Sequence, residues 1–258
     1  MTEIIRSEGV VLKRRDFQES SRIAVVYTRA AGKVQLLARG ARQRRNKHGA
    51  ALEPLSRGEF VFYWREGKDL FTLAETTVLH SGRFIRESPR DLPYGLAMAE
   101  SLDRLSAEGD PDEALFELLA GSLNELDRGG PGPALLTHFL LGLAVHLGLK
   151  PDLDVCAVCG RPAPKDGVAF SPAEGSIVCR ECDRSAGQSL VIPARTYNYV
   201  KALLSYDVSR VARIKAGPEL VEGALSFIRA HLAYQSGLKI KSLSLTFPPQ
   251  IQNNKGVI

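Results

Sequence analysis

The chain has 258 residues, 44% of them hydrophobic and 24% charged, and its 34 Lys+Arg against 29 Asp+Glu leave a formal net charge of +5. That composition excludes wholesale disorder and supplies enough length for one large domain or two to three small ones. So small a positive excess does not by itself imply a polyanionic partner; the case depends on where the cations lie.

The first eighty or so residues predict strands. Val10–Leu12, Arg22–Thr28, Lys33–Ala38, Glu59–Trp64 and Leu70–Leu79 are rich in β-branched and aromatic residues, with turn signals at Ala31-Gly32, Gly58 and Glu66-Gly67. Five short strands in that length suggest a small closed or partly closed barrel, for which an OB-fold is a natural candidate. Between the third and fourth strands runs a basic segment. From Arg29 to Lys47 there are seven Lys or Arg and no acid, and the next carboxylate is Glu53. Arg39, Arg42, Arg44, Arg45 and Lys47 crowd into nine residues, where they repel one another unless an anion neutralises them. Phosphates do this well, and arginine suits both bidentate phosphate contacts and stacking on bases. Arg14, Arg15 and Arg22 can extend the patch. A solvated loop, or a site for an anionic protein, is the plainer alternative. Phe17, Tyr27, Phe60, Phe62, Tyr63, Trp64 and Phe71 are available to stack bases, although core packing is the default for each.

After Ser88-Pro89 the period becomes helical. Leu92, Leu96, Ala99, Leu102 and Leu105 share one face. A second helix is predicted to start with Asp110 as N-cap, and a third follows Pro133 and stops at Gly148 and Pro151. Short loops predict that the three pack as a bundle. Helical patterning returns at Pro193–Ser205 and Pro218–Tyr234, with Gly237 as C-terminal cap.

The segment 152–189 is poor in large apolar residues and holds all four cysteines, as Cys156-Ala-Val-Cys159 and Cys179-Arg-Glu-Cys182. Two C-x-x-C pairs, each able to hold one side of a tetrahedral ion, read as a closed, structural Zn2+ site; Gly160 and Gly175 supply the backbone freedom of tight thiolate turns. Disulfides or merely buried thiols are the alternatives. The N-terminus lacks the apolar core of an export signal and the longest greasy run, 134–149, is shorter than the roughly 20 residues of a membrane span, so a reducing, cytoplasmic setting is expected. No phosphate loop, G-x-G-x-x-G, H-E-x-x-H or G-x-S-x-G is present. Ser236-Gly-Leu-Lys239 lacks the companions of a catalytic pair, and His138 and His146 have no acid or cysteine at helical spacing. The expectation is a binding protein, not an enzyme.

The order of these features resembles the bacterial RecO recombination mediators. The resemblance is carried by Gly9-Val-Val-Leu-Lys13, Glu19-Ser-Ser-Arg-Ile23, Thr28-Arg-Ala-Ala-Gly-Lys33, Ala38-Arg-Gly-Ala-Arg42, Ala51-Leu-Glu-Pro54, the four-cysteine insertion and Tyr234-Gln-Ser-Gly-Leu-Lys-Ile-Lys-Ser242. It implies an α+β chain with an OB-fold DNA-binding domain at 1–80, a helical domain at 81–151 and 190–247, and a zinc module at 152–189. It further implies binding of single- and double-stranded DNA, strand annealing, work with RecR to load RecA onto DNA covered by single-strand-binding protein, and a cytoplasmic place at the nucleoid. In that reading Arg39, Arg42, Arg44, Arg45 and Lys47 contact DNA. A zinc-containing regulator that reads DNA or RNA sequence is the alternative, and a strong preference for one site over random duplex would mark it; no recognition helix with a basic face is apparent.

Overall fold

The computed structural model describes residues 2–43, 49–163, 167–179, 181–183 and 189–246. The chain forms two compact units, Met1–Gly129 and Gly130–Ile258.

The first unit is built on a closed barrel of β1 (Thr2–Phe17), β2 (Ser21–Thr28), β3 (Gly32–Ala38), β4 (Arg57–Arg65) and β5 (Leu70–His80), in the order β1-β2-β3-β5-β4. That is the five-stranded OB-type arrangement expected from the strand count. The first strand is far longer than the expected Val10–Leu12. Its leading half pairs with β4 and its trailing half with β2, and a bulge between Val11 and Lys13 turns it from one partner to the other. Alternation in its first residues is masked because only one face meets the core: Ile5 packs inward while Ile4 is exposed. The barrel is filled by Val11, Val26, Leu36, Phe60, Phe62 and Phe71, with Leu52 of the short 3-10 turn Ala50–Leu52 contributing to the same cluster. Gly9 is required by this packing, since a Cβ there would lie 2.6 Å from Val26 Cγ1.

Three helices complete the unit: α1 (Arg83–Glu87), α2 (Leu92–Leu105) and α3 (Glu113–Asp127). The expected three-helix bundle is not the observed grouping. Helix α2 packs on β1, and Lys33 of β3 donates its Nζ to the carbonyls of Asp103 and Ser106 at 2.6 and 2.7 Å, tying the helix C-terminus to the barrel. Cations suit helix C-termini, where unsatisfied carbonyls and the macrodipole present negative charge. The buried face of α2 is made of Gly95, Ala97, Met98, Ala99, Ser101 and Leu102, smaller residues than the leucine stripe expected. The N-cap of α3 is Asp112, whose carboxylate accepts from Leu115 N at 2.9 Å; Asp110 lies two residues too early.

In the second unit α4 (Gly132–His146) packs against α7 (Pro218–Ser236) and α5 (Ala194–Ser205), with the short α6 (Val208–Val211) beside α4. A three-stranded antiparallel sheet, β7 (Ser176–Val178), β6 (Gly167–Ser171) and β8 (Leu190–Pro193), follows the first cysteine pair. Phe170 of β6 meets Phe227 of α7 edge-on at 4.7 Å, and His231 Nε2 lies 2.6 Å from the Leu149 carbonyl oxygen. His138 Nδ1 is 3.0 Å from the Leu203 carbonyl oxygen; burial lowers the pKa of both histidines, so they are packed neutral imidazoles. Gly237 caps α7 in the left-handed conformation, as expected. No helix among the described residues is long and apolar enough to cross a membrane.

Candidate nucleic-acid interface and metal centre

Strand register gathers the basic residues at one end of the barrel. Asp16 of β1 faces Arg22 of β2, and Arg22 faces Ala38 of β3, so Arg14, Arg15, Arg22 and the exposed Arg39 lie within two positions of one cross-strand row. The turn after β3 brings Arg42 back to the same place. Gly40 takes φ +67°, Arg42 N donates to Ser20 O at 3.0 Å, and its Nη1 donates to Gln18 O at 3.3 Å. Arg44, Arg45 and Lys47 lie outside the described residues.

The carboxylates at this end are few and shared. Asp16 takes Arg22 Nε on Oδ1 at 3.1 Å and Arg42 Nε on Oδ2 at 3.5 Å, while 56% of its side chain stays exposed. Arg14 pairs through Nη2 with Glu53 Oε2 at 3.0 Å, and its buried Nη1 has no partner. An exposed pair such as Arg42–Asp16 is worth roughly 0–1 kcal/mol, so a phosphate can displace it at small cost. Arg15 is exposed, and neither it nor Arg39 has an ion-pair partner among the described residues. Within the acid-free run from Arg29 to Lys47, Arg42 is thus answered in three dimensions by Asp16 and Arg29 by Glu8, Glu113 and Glu117, acids that sequence spacing places elsewhere.

The aromatics sort cleanly. Tyr27, Phe60, Phe62 and Phe71 are buried, Trp64 stacks on Phe71 at 4.4 Å, Phe17 is half-buried, and only Tyr63, 44% exposed, presents its ring outward.

In the second unit the four cysteine sulfurs lie within 4.8 Å of one another. Tetrahedral zinc with Zn–S bonds of about 2.3 Å requires sulfur separations of about 3.8 Å; Cys159 Sγ and Cys179 Sγ are 3.7 Å apart. Both knuckles close on themselves, Gly160 N donating to Cys156 O and Cys182 N to Cys179 O, each at 2.9 Å. Gly160 and Gly175 have φ of +70° and +63°, the left-handed turns expected of them. Arg161 of the first knuckle pairs with Glu181 of the second. Burial disfavours charge on Cys156, but the backbone N–H groups of Cys179, Cys159 and Val158 outweigh it and bring this thiol to about 6. Hydrogen bonding to Cys179, then burial and the nearby Cys159, push Cys182 up to about 12. Successive deprotonation in one place is therefore opposed unless a cation shares the charge. An all-thiolate donor set at these separations fits a closed structural ion.

The chain matches two family models, Recombination protein O N terminal over residues 1–81 and Recombination protein O C terminal over residues 86–244. It is similar to the DNA repair protein RecO of Rubrobacter xylanophilus, at 37% identity over 91% of this chain and 93% of that protein. The corresponding values for the DNA repair protein RecO of Anaeromyxobacter sp. (strain K) are 34%, 88% and 91%, and for that of Bacillus pumilus 30%, 93% and 92%.

Proposed function

The chain belongs to the RecO family of DNA repair proteins, and from that premise we propose that it is a DNA-binding recombination mediator whose barrel end neutralises phosphates. The observation that carries the reading is the convergence of Arg14, Arg15, Arg22, Arg39 and Arg42 on one end of an OB-type barrel, where among the described residues only Asp16 and Glu53 pair with them. Arg44, Arg45 and Lys47 add to it by sequence. Cations held at the rim of a rigid barrel exchange condensed counterions for protein contacts, and the released ions drive binding. With two strands engaged, their mutual repulsion falls and base pairing proceeds, which is annealing without nucleotide hydrolysis. The protein acts by binding, on single- and double-stranded DNA, in the cytoplasm at the nucleoid. With RecR it loads RecA onto single strands covered by single-strand-binding protein; family membership supports these partners.

Residues 1–80 form the DNA-binding part, 152–189 the zinc module, and 81–151 with 190–247 the helical part. Cys156, Cys159, Cys179 and Cys182 hold one structural Zn2+, which cross-links two knuckles that little apolar packing joins. Four sulfur donors leave no position for water, so the ion supplies stability.

The test is a titration of fluorescent random single-stranded DNA across a salt series, with wild type and with Arg39, Arg42, Arg44, Arg45 and Lys47 replaced by Ala. Wild type binds with a steep salt slope and the variant loses affinity and slope together. Equal binding by both would place DNA elsewhere and refute the site.

A further inference from the structure

The structure assigns Asp103 of α2 and Glu108 just beyond it as an anionic fence that bounds the DNA site on one side and keeps Lys13 off the phosphates. This rests on the reading of the basic end as the phosphate site and sets the lateral limit of that site.

By sequence Lys13 belongs with the cations. It directly precedes Arg14 and Arg15 on β1, and all three line a cleft of about 240 Å3 together with Asp103 and Glu108. Lys13 Nζ meets Asp103 Oδ2 at 2.5 Å, and Gln35 Nε2 donates to Glu108 Oε1 at 3.3 Å. Ile23, which also lines the cleft, is buried, so a base finds no open apolar floor there. A strand entering the cleft would set its phosphates against two carboxylates, and like charges at such separations repel.

Burial decides which cation–acid pairs give way to DNA. Asp16, shared by Arg22 and Arg42, keeps 56% of its side chain exposed, whereas Asp103 keeps 12%. Water can rehydrate Asp16 when a phosphate takes its arginine. A carboxylate as enclosed as Asp103 would lose its partner without regaining its hydration, so the lysine stays with it.

The fence is also anchored to the barrel. Buried Lys33 donates its Nζ to the carbonyls of Asp103 and Ser106, and Gly109 N donates to Lys33 O at 3.0 Å, so the backbone is held on both sides of Glu108. Along β1, residues 13 and 15 are about 7 Å apart, less than the screening length of about 8 Å at physiological salt. A strand held by Arg15 therefore feels the fence and is confined to the arginines.

The experiment measures single-strand binding over a salt series for full-length wild type, Asp103→Asn, Glu108→Gln, the pair Lys13→Gln/Asp103→Asn, and Arg39→Ala/Arg42→Ala. Asp103→Asn frees Lys13, so affinity is expected to rise about fivefold near roughly 0.05 M salt and the slope to steepen by about 0.7, one added phosphate contact. Lys13→Gln/Asp103→Asn removes a neutral pair and returns both to wild-type values, and Glu108→Gln gives a smaller rise in affinity. In parallel, wild type is acetylated with acetic anhydride with and without DNA; Lys47 is expected to be protected and Lys13 not. A wild-type slope in Asp103→Asn, a slope below wild type in Lys13→Gln/Asp103→Asn, unchanged affinity in Glu108→Gln, or protection of Lys13 would overturn the fence. If Asp103→Asn misfolds, Glu108→Gln and the acetylation pattern decide. Wild-type binding by Arg39→Ala/Arg42→Ala would refute the phosphate site and the fence with it, whereas failure of the fence alone leaves that variant defective.

Discussion

The barrel and the cysteine module solve the same problem, holding functional side chains in place, by opposite means. In the barrel, strand pairing and a core containing Phe60, Phe62, Phe71 and Leu36 fix the backbone, so its rim can present like charges with few internal partners. In the module the chain between Asp152 and Ser189 has few large apolar residues, and Phe170 packs edge-on against Phe227 of α7. There the sulfurs themselves take the place of a core. A site built on a core can leave its charges for a ligand, whereas a site that replaces a core must be satisfied before the segment holds its shape.

The largest effect expected from this contrast comes from metal removal. Chelation, or Cys156→Ser, should accelerate amide exchange by orders of magnitude across 152–193 while β1–β5 keep their protection, because structural zinc sites are worth on the order of 10–16 kcal/mol. Parallel loss in the barrel would break the contrast. Phe60→Ala should do the converse, costing about 3–5 kcal/mol in denaturant unfolding of the first unit and leaving one zinc per chain by a colorimetric release assay. Zinc lost in step with barrel stability would show that the two regions fold as one. Third in size, Arg39→Ala/Arg42→Ala should flatten the salt dependence of single-strand binding by about 0.7 per phosphate contact removed, with thermal stability nearly unchanged. The smallest effect has the opposite sign. Asp16→Asn removes the carboxylate shared by Arg22 and Arg42, so DNA affinity should rise a few-fold at low salt, while stability shifts by less than about 1 kcal/mol. A drop in affinity would mean that Asp16 orients the arginines rather than competing for them.

Local chemistry made some of this legible in the sequence. The cysteine spacing, the Gly237 cap and the helical segments realised as α5 and α7 depend on neighbours within a few residues, and the structure agrees with each. Features decided by distant partners were not legible. The length of β1 follows from its pairing with both β2 and β4, and the small-residue face of α2 from its close approach: a Cβ on Gly95 would lie 2.8 Å from Leu55 Cδ1. The N-cap expected at Asp110 falls instead at Asp112, because only the backbone path tells which carboxylate reaches Leu115 N.

By itself, then, the sequence determined that there is a barrel, helices, a four-thiolate site and a cluster of cations, because composition and periodicity are properties of adjacent residues. Tertiary structure alone decided that Arg14, Arg22 and Arg42 meet Glu53 and Asp16, that Lys33 binds the end of α2, and that among the barrel aromatics Tyr63 faces outward. Those facts come from register and closure. Side-chain direction alternates along every strand, and only the completed barrel fixes which face is inside.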